Sequence, residues 1–151
     1  MRRGRVVTLV VAMSVVLTTA SPVMAGGTAP VPVPGRPVFP ALIEAFQKYE
    51  PETGCSATAK PGAVTLQNML KVTYGSSIRS NIVRGCTSRA SGHEEGRAID
   101  WMVSQRNPAQ KAMGDAFVSW LLAPDSYGNP RAMASRLGVQ YVIWKSRILT
   151  I

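Results

Sequence analysis

His93, the only histidine of this 151-residue chain, is followed seven residues later by Asp100. An imidazole and a carboxylate are donor types that hold zinc-like divalent cations. Their spacing decides whether they can share one. On an unbroken helix they would stand about 10.5 Å apart along the axis, and on an unbroken strand about twice as far. Only a turn between them brings both to a single point, and Gly96 supplies the permissive backbone for it. Arg97 to Val103 then alternates as a strand, with Ile99, Trp101 and Val103 on one face and Ala98, Asp100 and Met102 on the other. A carboxylate among apolar neighbours is costly unless it is paired or coordinates a metal. Ala98 is small and leaves room for an ion on that face, and Ser91 is placed to orient the loop through local backbone hydrogen bonds. A second reading stays open, in which His93 is a surface loop residue and Asp100 pairs with an arginine, Arg84 or Arg97.

The elements that must position this decapeptide are legible in outline. Ala41 to Lys48 is expected as a short amphipathic helix stopped by Pro51, and Ala63 to Val72 as a second, with Leu66, Met69 and Leu70 on one side. Asn81 to Arg84 reads as a short strand leading to Cys86. Asn107-Pro108 joins an N-cap residue to a proline at the first helical position. Ala109, Ala112, Met113, Ala116, Phe117, Trp120 and Leu121 then recur at helical spacing, which predicts a helix with a wide face on the core. Asn129-Pro130 opens another helix that Gly138 ends. Val139 to Trp144 follows as an apolar strand, and Arg147 to Ile151 starts a further one. The fold class is therefore α+β, a small, mostly antiparallel sheet flanked by helices.

Composition bounds the setting. Arg2, Arg3 and Arg5 precede an apolar run from Val6 to Leu17, and Val23-Met24-Ala25 gives the small-residue pattern for cleavage after Ala25. That run is shorter than the roughly 20 residues a membrane span needs, so residues 1–25 read as an export signal and the mature chain as secreted, with no stable span. Gly26 to Pro40 carries five prolines and reads as an extended spacer, leaving 41–151 as one domain. The formal charge of +9 falls to +6 without the signal arginines, enough to suit anionic wall polymers, although such a balance commonly just keeps a domain soluble. Aromatics do not interleave with Lys and Arg, which together with export argues against nucleic acid. Cys55 and Cys86 are the only cysteines, and an even count in an exported chain implies one disulfide.

Ser91, His93, Gly96, Ala98 and Asp100 reproduce a Ser-x-His-x-x-Gly-x-Ala-x-Asp pattern. The chain thereby resembles zinc D-alanyl-D-alanine carboxypeptidases and related peptidoglycan peptidases, which share their fold with the Hedgehog signalling domain. Cys55, Gly85-Cys86 and the segment Gly138 to Trp144 extend the likeness to an actinobacterial secreted subgroup. The resemblance implies that His93 and Asp100 are two of three zinc ligands, and that Arg84 steadies a substrate carbonyl or carboxylate. It implies a wall-peptide hydrolase, and the chain is expected to be a monomer. In that family the third ligand is a histidine near the domain's C-terminus, and none follows His93 here. The expectation is thus a domain lacking its last strand or strands, with weak or absent Zn2+ and impaired activity. The alternative is a non-catalytic wall-binding or degenerate module. Glu50, Glu52, Asp115 and Asp125 show no spacing that marks a replacement ligand, and Glu94 and Glu95 read as solvated loop charges.

Overall fold

The computed structural model describes residues 29–36, 38–87 and 90–151. The export signal expected over residues 1–25 lies outside them, as do the start of the Pro-rich stretch and Pro37. In chain order the elements are α1 (Pro61–Tyr74), β1 (Ser80–Asn81), β2 (Asp100–Trp101), α2 (Pro108–Leu122), α3 (Ala132–Arg136), β3 (Tyr141–Trp144) and β4 (Arg147–Thr150). This is a small α+β fold. Its strands form two separate two-stranded antiparallel sheets, β1 with β2 and β3 with β4, rather than one continuous sheet.

α2 forms where the sequence places it. The Asn107 side chain accepts from the Ala109 and Gln110 N–H groups, and Pro108 occupies the first turn, where its missing N–H costs nothing. Phe117, Trp120 and Leu121 are buried from its inner face. They meet Leu70 and Tyr74 of α1 and Met133 and Ala134 of α3 in one core. Burying a side chain such as Leu121 contributes about 1.5–3 kcal/mol. An aromatic series runs through this core, with ring centroids 4.8 Å apart for Tyr74–Trp101, 5.7 Å for Trp101–Phe117 and 5.8 Å for Phe117–Trp120. Burial pushes the Tyr74 phenol up to about 12. Through Trp101 the core grips the strand that carries Asp100.

Several elements differ from the sequence reading; the strand expected over Asn81 to Arg84 is one of them, being confined to Ser80–Asn81. The predicted helix over Ala41 to Lys48 does not form. Its carbonyls are taken by side chains from elsewhere: Asn129 donates to Ala41, Ser135 to Glu44, and Arg136 to Pro40 and Leu42. Carbonyls engaged from outside in this way, at 41, 42 and 44, compete with a helical ladder for the same acceptors. The described part of the Pro-rich stretch is extended as expected, yet it does not stand off as a spacer. Val31 and Phe39 pack against the core, Pro34 is buried, and the Arg136 guanidinium lies 4.5 Å over the Phe39 ring. The helix expected from Asn129-Pro130 begins only at Ala132, because Asp125 captures the Asn129 N–H and side chain in a turn and Arg131 is left-handed. Gly138, at φ +64°, closes it as expected.

Candidate functional site

Residues 91–96 form the turn that the spacing of His93 and Asp100 requires. The Ser91 hydroxyl accepts from the Glu94 N–H at 3.3 Å and the Ser91 carbonyl from the Glu95 N–H at 3.1 Å, so Ser91 caps the turn. Gly96 lies at φ +70°, and a Cβ there would sit 2.0 Å from the Thr58 carbonyl oxygen. The chain before α1 runs hard against this side, with Ser56 N–H donating to the Glu94 carbonyl and Lys60 N–H to that of Gly96, each at 2.8 Å. The Gly92 carbonyl accepts from Arg97 and Ala98, folding the chain back. A Cβ on Gly92 would come within 3.1 Å of the Ala98 Cβ, so a larger residue at either place would press the turn open.

The turn brings the two donors together. His93 Nε2 lies 3.2 Å from Asp100 Oδ1. His93 Nδ1 lies 2.7 Å from the Ile82 carbonyl, an acceptor, so Nδ1 carries the proton and donates. With Nδ1 fixed on the Ile82 carbonyl, Nε2 is the ring nitrogen that faces Asp100, the orientation that second-partner hydrogen bonds impose on metal-binding histidines. Arg84 N–H returns a bond to the His93 carbonyl at 3.3 Å, fastening the 82–84 segment to the turn. The Arg84 guanidinium pairs with Asp100 Oδ2. The two sequence readings thus coexist: His93 and Asp100 are adjacent, and Asp100 also holds an arginine, Arg84 rather than Arg97. His93 is not a surface loop residue, its side chain being only 12% exposed.

Two donors of a tetrahedral cation at about 2.1 Å stand roughly 3.4 Å apart, close to the 3.2 Å found here. The pair has the bite for zinc. A third donor is another matter: among the described residues no group of three His, Cys, Asp or Glu side chains is placed to hold an ion. Asp125 is occupied by Arg136 and Asn129, and Asp115 by Lys111, Lys145 and Trp144. Those partners hold both carboxyls well below the usual carboxylate range, led by the Asn129 hydrogen bond for Asp125 and the Lys111 hydrogen bond for Asp115. Glu52 borders the same cleft but is engaged by Tyr49 and Arg97. The side chains present therefore do not fit a catalytic zinc, which keeps three protein ligands and a water.

Glu94 and Glu95, expected as solvated, are not. Glu94 is 3% exposed, and its carboxylate accepts from the Thr87 N–H and hydroxyl. Glu95 accepts from the Thr53 and Gly54 N–H groups and pairs with Arg97. The Arg97 hydrogen bond, helped by those two amides, lowers its carboxyl to about 2. The partners at 53 and 54 lie some forty residues from Glu95 and Thr87 seven from Glu94, so composition gave no sign of them. The disulfide expected from the cysteine count is formed, Cys55 to Cys86 with a Cα–Cα distance of 5.9 Å. It clamps the segment two residues beyond Arg84 to the one that packs on the turn.

Around this constellation opens a cleft of about 710 Å3, bordered by Arg84, His93, Asp100, Leu66, Tyr141 and Ile143 among others. Gln140 at its edge accepts from Arg97 and from the Glu50 N–H. The model of the family described as "VldE, C-terminal domain" matches residues 55–151. The chain belongs to that family. The match begins at the first disulfide cysteine and takes in the turn, the His93–Asp100 pair and Arg84, while Glu52 at the cleft border and the Thr53 and Gly54 amides on Glu95 lie just before it. No curated protein and no solved structure matches the chain. Among the described residues no helix is long and apolar enough to cross a membrane.

The VldE-type domain also contains residues that sequence reading passed over. Gly114 sits mid-helix in α2 because Trp144 lies on it: a Cβ would come within 2.4 Å of the indole ring. The indole N–H donates to Asp115 at 2.8 Å. A glycine inside a strong helical pattern was the available signal, since it costs about 1 kcal/mol there without a packing reason.

Proposed function

We propose that this chain is an exported, peptidoglycan-peptide-binding domain of the zinc-peptidase type, with hydrolysis impaired. The observation that carries the reading is the His93 Nε2–Asp100 Oδ1 pair at 3.2 Å, with Nδ1 fixed on the Ile82 carbonyl, inside an open cleft. The residue pattern of zinc D-alanyl-D-alanine carboxypeptidases, noted from the sequence, is what connects that geometry to wall peptides. Among the described residues a zinc of the kind those peptidases use finds no third ligand. The chain's own donors are two, so such an ion would be held weakly. Binding then falls to the cleft and its charge. Arg84 gives one nitrogen to Asp100 and is otherwise 59% exposed, which leaves donors for a substrate carboxylate.

The test uses the purified protein and a synthetic wall stem pentapeptide with a free C-terminus. Calorimetry should show binding that Arg84→Ala weakens, elemental analysis should find well under one zinc per chain, and D-alanine release should be undetectable. Stoichiometric zinc with turnover that a chelator abolishes would overturn the impaired-enzyme reading. Absence of pentapeptide binding at millimolar concentration would overturn the wall-peptide reading altogether.

A further inference from the structure

β3 is hydrogen-bonded on one side only. Its register pairs Tyr141 with Thr150, Val142 with Leu149, Ile143 with Ile148 and Trp144 with Arg147. The Ile151 N–H donates to the Gln140 carbonyl at 3.1 Å. Residue pairs of an antiparallel ladder alternate between those that exchange main-chain hydrogen bonds and those that exchange none. The Gln140–Ile151 bond sets the phase. Residues 140, 142 and 144 turn their N–H and C=O groups towards β4, and Tyr141 and Ile143 turn theirs away from it. Among the described residues no other strand pairs with β3, so those groups form an open edge.

That edge borders the cleft, which Tyr141 and Ile143 line together with Arg84, His93 and Asp100. β2 lines the same cleft and is likewise paired on one side only. An open strand edge is a template for an added strand. The charge of the site names the occupant. A mostly exposed guanidinium with unused donors recognises a carboxylate, and the free end of a peptide supplies one. The cleft of about 710 Å3 is of a size for a few residues rather than a folded partner.

We propose, resting on the reading of the cleft as a peptide site, that the ligand binds as an extended strand on the β3 edge. Its main chain pairs with the N–H and C=O groups of Tyr141 and Ile143, and its C-terminal carboxylate lies at Arg84. Main-chain pairing sets affinity and register, and the carboxylate sets which end enters.

The probe is the wall stem pentapeptide, compared with its C-terminal amide and a set of analogues each N-methylated at one backbone amide. Against the purified protein, N-methylation at alternate amides weakens binding about tenfold, and at the amides between them leaves it unchanged; the C-terminal amide weakens it about tenfold as well. These are the losses expected for one hydrogen bond of about 1.4 kcal/mol. Ile143→Pro, which removes a cleft-facing donor but no β3–β4 bond, gives a similar loss with the melting temperature monitored alongside. Should Ile143→Pro fail to fold, the methylation series decides alone. If the pentapeptide binds in a carboxylate-dependent way but no N-methylation matters, the added strand is wrong and the peptide site stands. If the pentapeptide does not bind, both fall.

Discussion

Gly96→Ala is the substitution that most directly tests how the His93 turn is held. Two effects add. An L-residue at φ +70° carries a left-handed cost of about 1–2 kcal/mol. The new Cβ would also lie 2.0 Å from the Thr58 oxygen, 2.7 Å from its carbonyl carbon and 3.1 Å from the Ala59 Cα, all backbone atoms. The 56–60 segment must therefore retreat, loosening the Ser56–Glu94 and Lys60–Gly96 bonds, each contributing about 0.5–1.5 kcal/mol. Together these give a loss of about 2–5 kcal/mol from a domain whose whole stability is of order 5–15 kcal/mol. Urea denaturation should show the midpoint falling accordingly, and calorimetry a melting temperature lower by about 10 °C or more. Gly96→Asn separates the two contributions. Asparagine tolerates the left-handed region but keeps the Cβ, so it should recover only the conformational share. Asparagine at full wild-type stability, or alanine costing less than about 1 kcal/mol, would refute the close approach of the 56–60 segment.

Three further outcomes follow from the same structure. Glu95, lowered to about 2 in the folded state chiefly by the Arg97 hydrogen bond, stabilises the fold above the unfolded carboxyl value near 4.5. That contribution is lost as pH falls from about 5 towards 2, so Glu95→Gln should flatten the acid limb of a stability-against-pH curve measured by urea titration. Replacing both Cys55 and Cys86 by serine opens a loop of 31 residues and should cost roughly 3–4 kcal/mol in the chain-entropy account, read as a lower denaturation midpoint. Lys145 and Ser146 both turn the β3–β4 hairpin with positive φ, a conformation that glycine adopts without strain. Ser146→Gly should therefore raise stability by about 1 kcal/mol, and a neutral or destabilising result would contradict the turn geometry.

Local chemistry was legible in the sequence where it acts through neighbours. Asn107-Pro108 and the recurring apolar positions gave α2 its start and its buried face, Gly138 its helix end, and the cysteine count its bridge. Gly96 between His93 and Asp100 implied the turn, and the turn is there. What the sequence did not show depends on partners far along the chain. Ala41 to Lys48 has helical periodicity, but Asn129, Ser135 and Arg136 claim its carbonyls from some ninety residues away. Glu94 and Glu95 look like solvent-facing charges until Thr87, Thr53 and Gly54 are brought against them. The strand pattern of Arg97 to Val103 shortened to Asp100–Trp101, because only a brief stretch finds a partner in β1.

Arg136 has a practical bearing on where this domain starts. Its side chain is 2% exposed, and besides Asp125 it is dressed by the carbonyls of Pro40 and Leu42 and by the ring of Phe39. All three lie upstream of Cys55, where family similarity begins. A gene trimmed to that border would encode His93, Asp100 and Arg84 and yet leave a guanidinium undressed on one flank. The piece that can be transplanted whole between proteins reaches back into the thirties of the numbering.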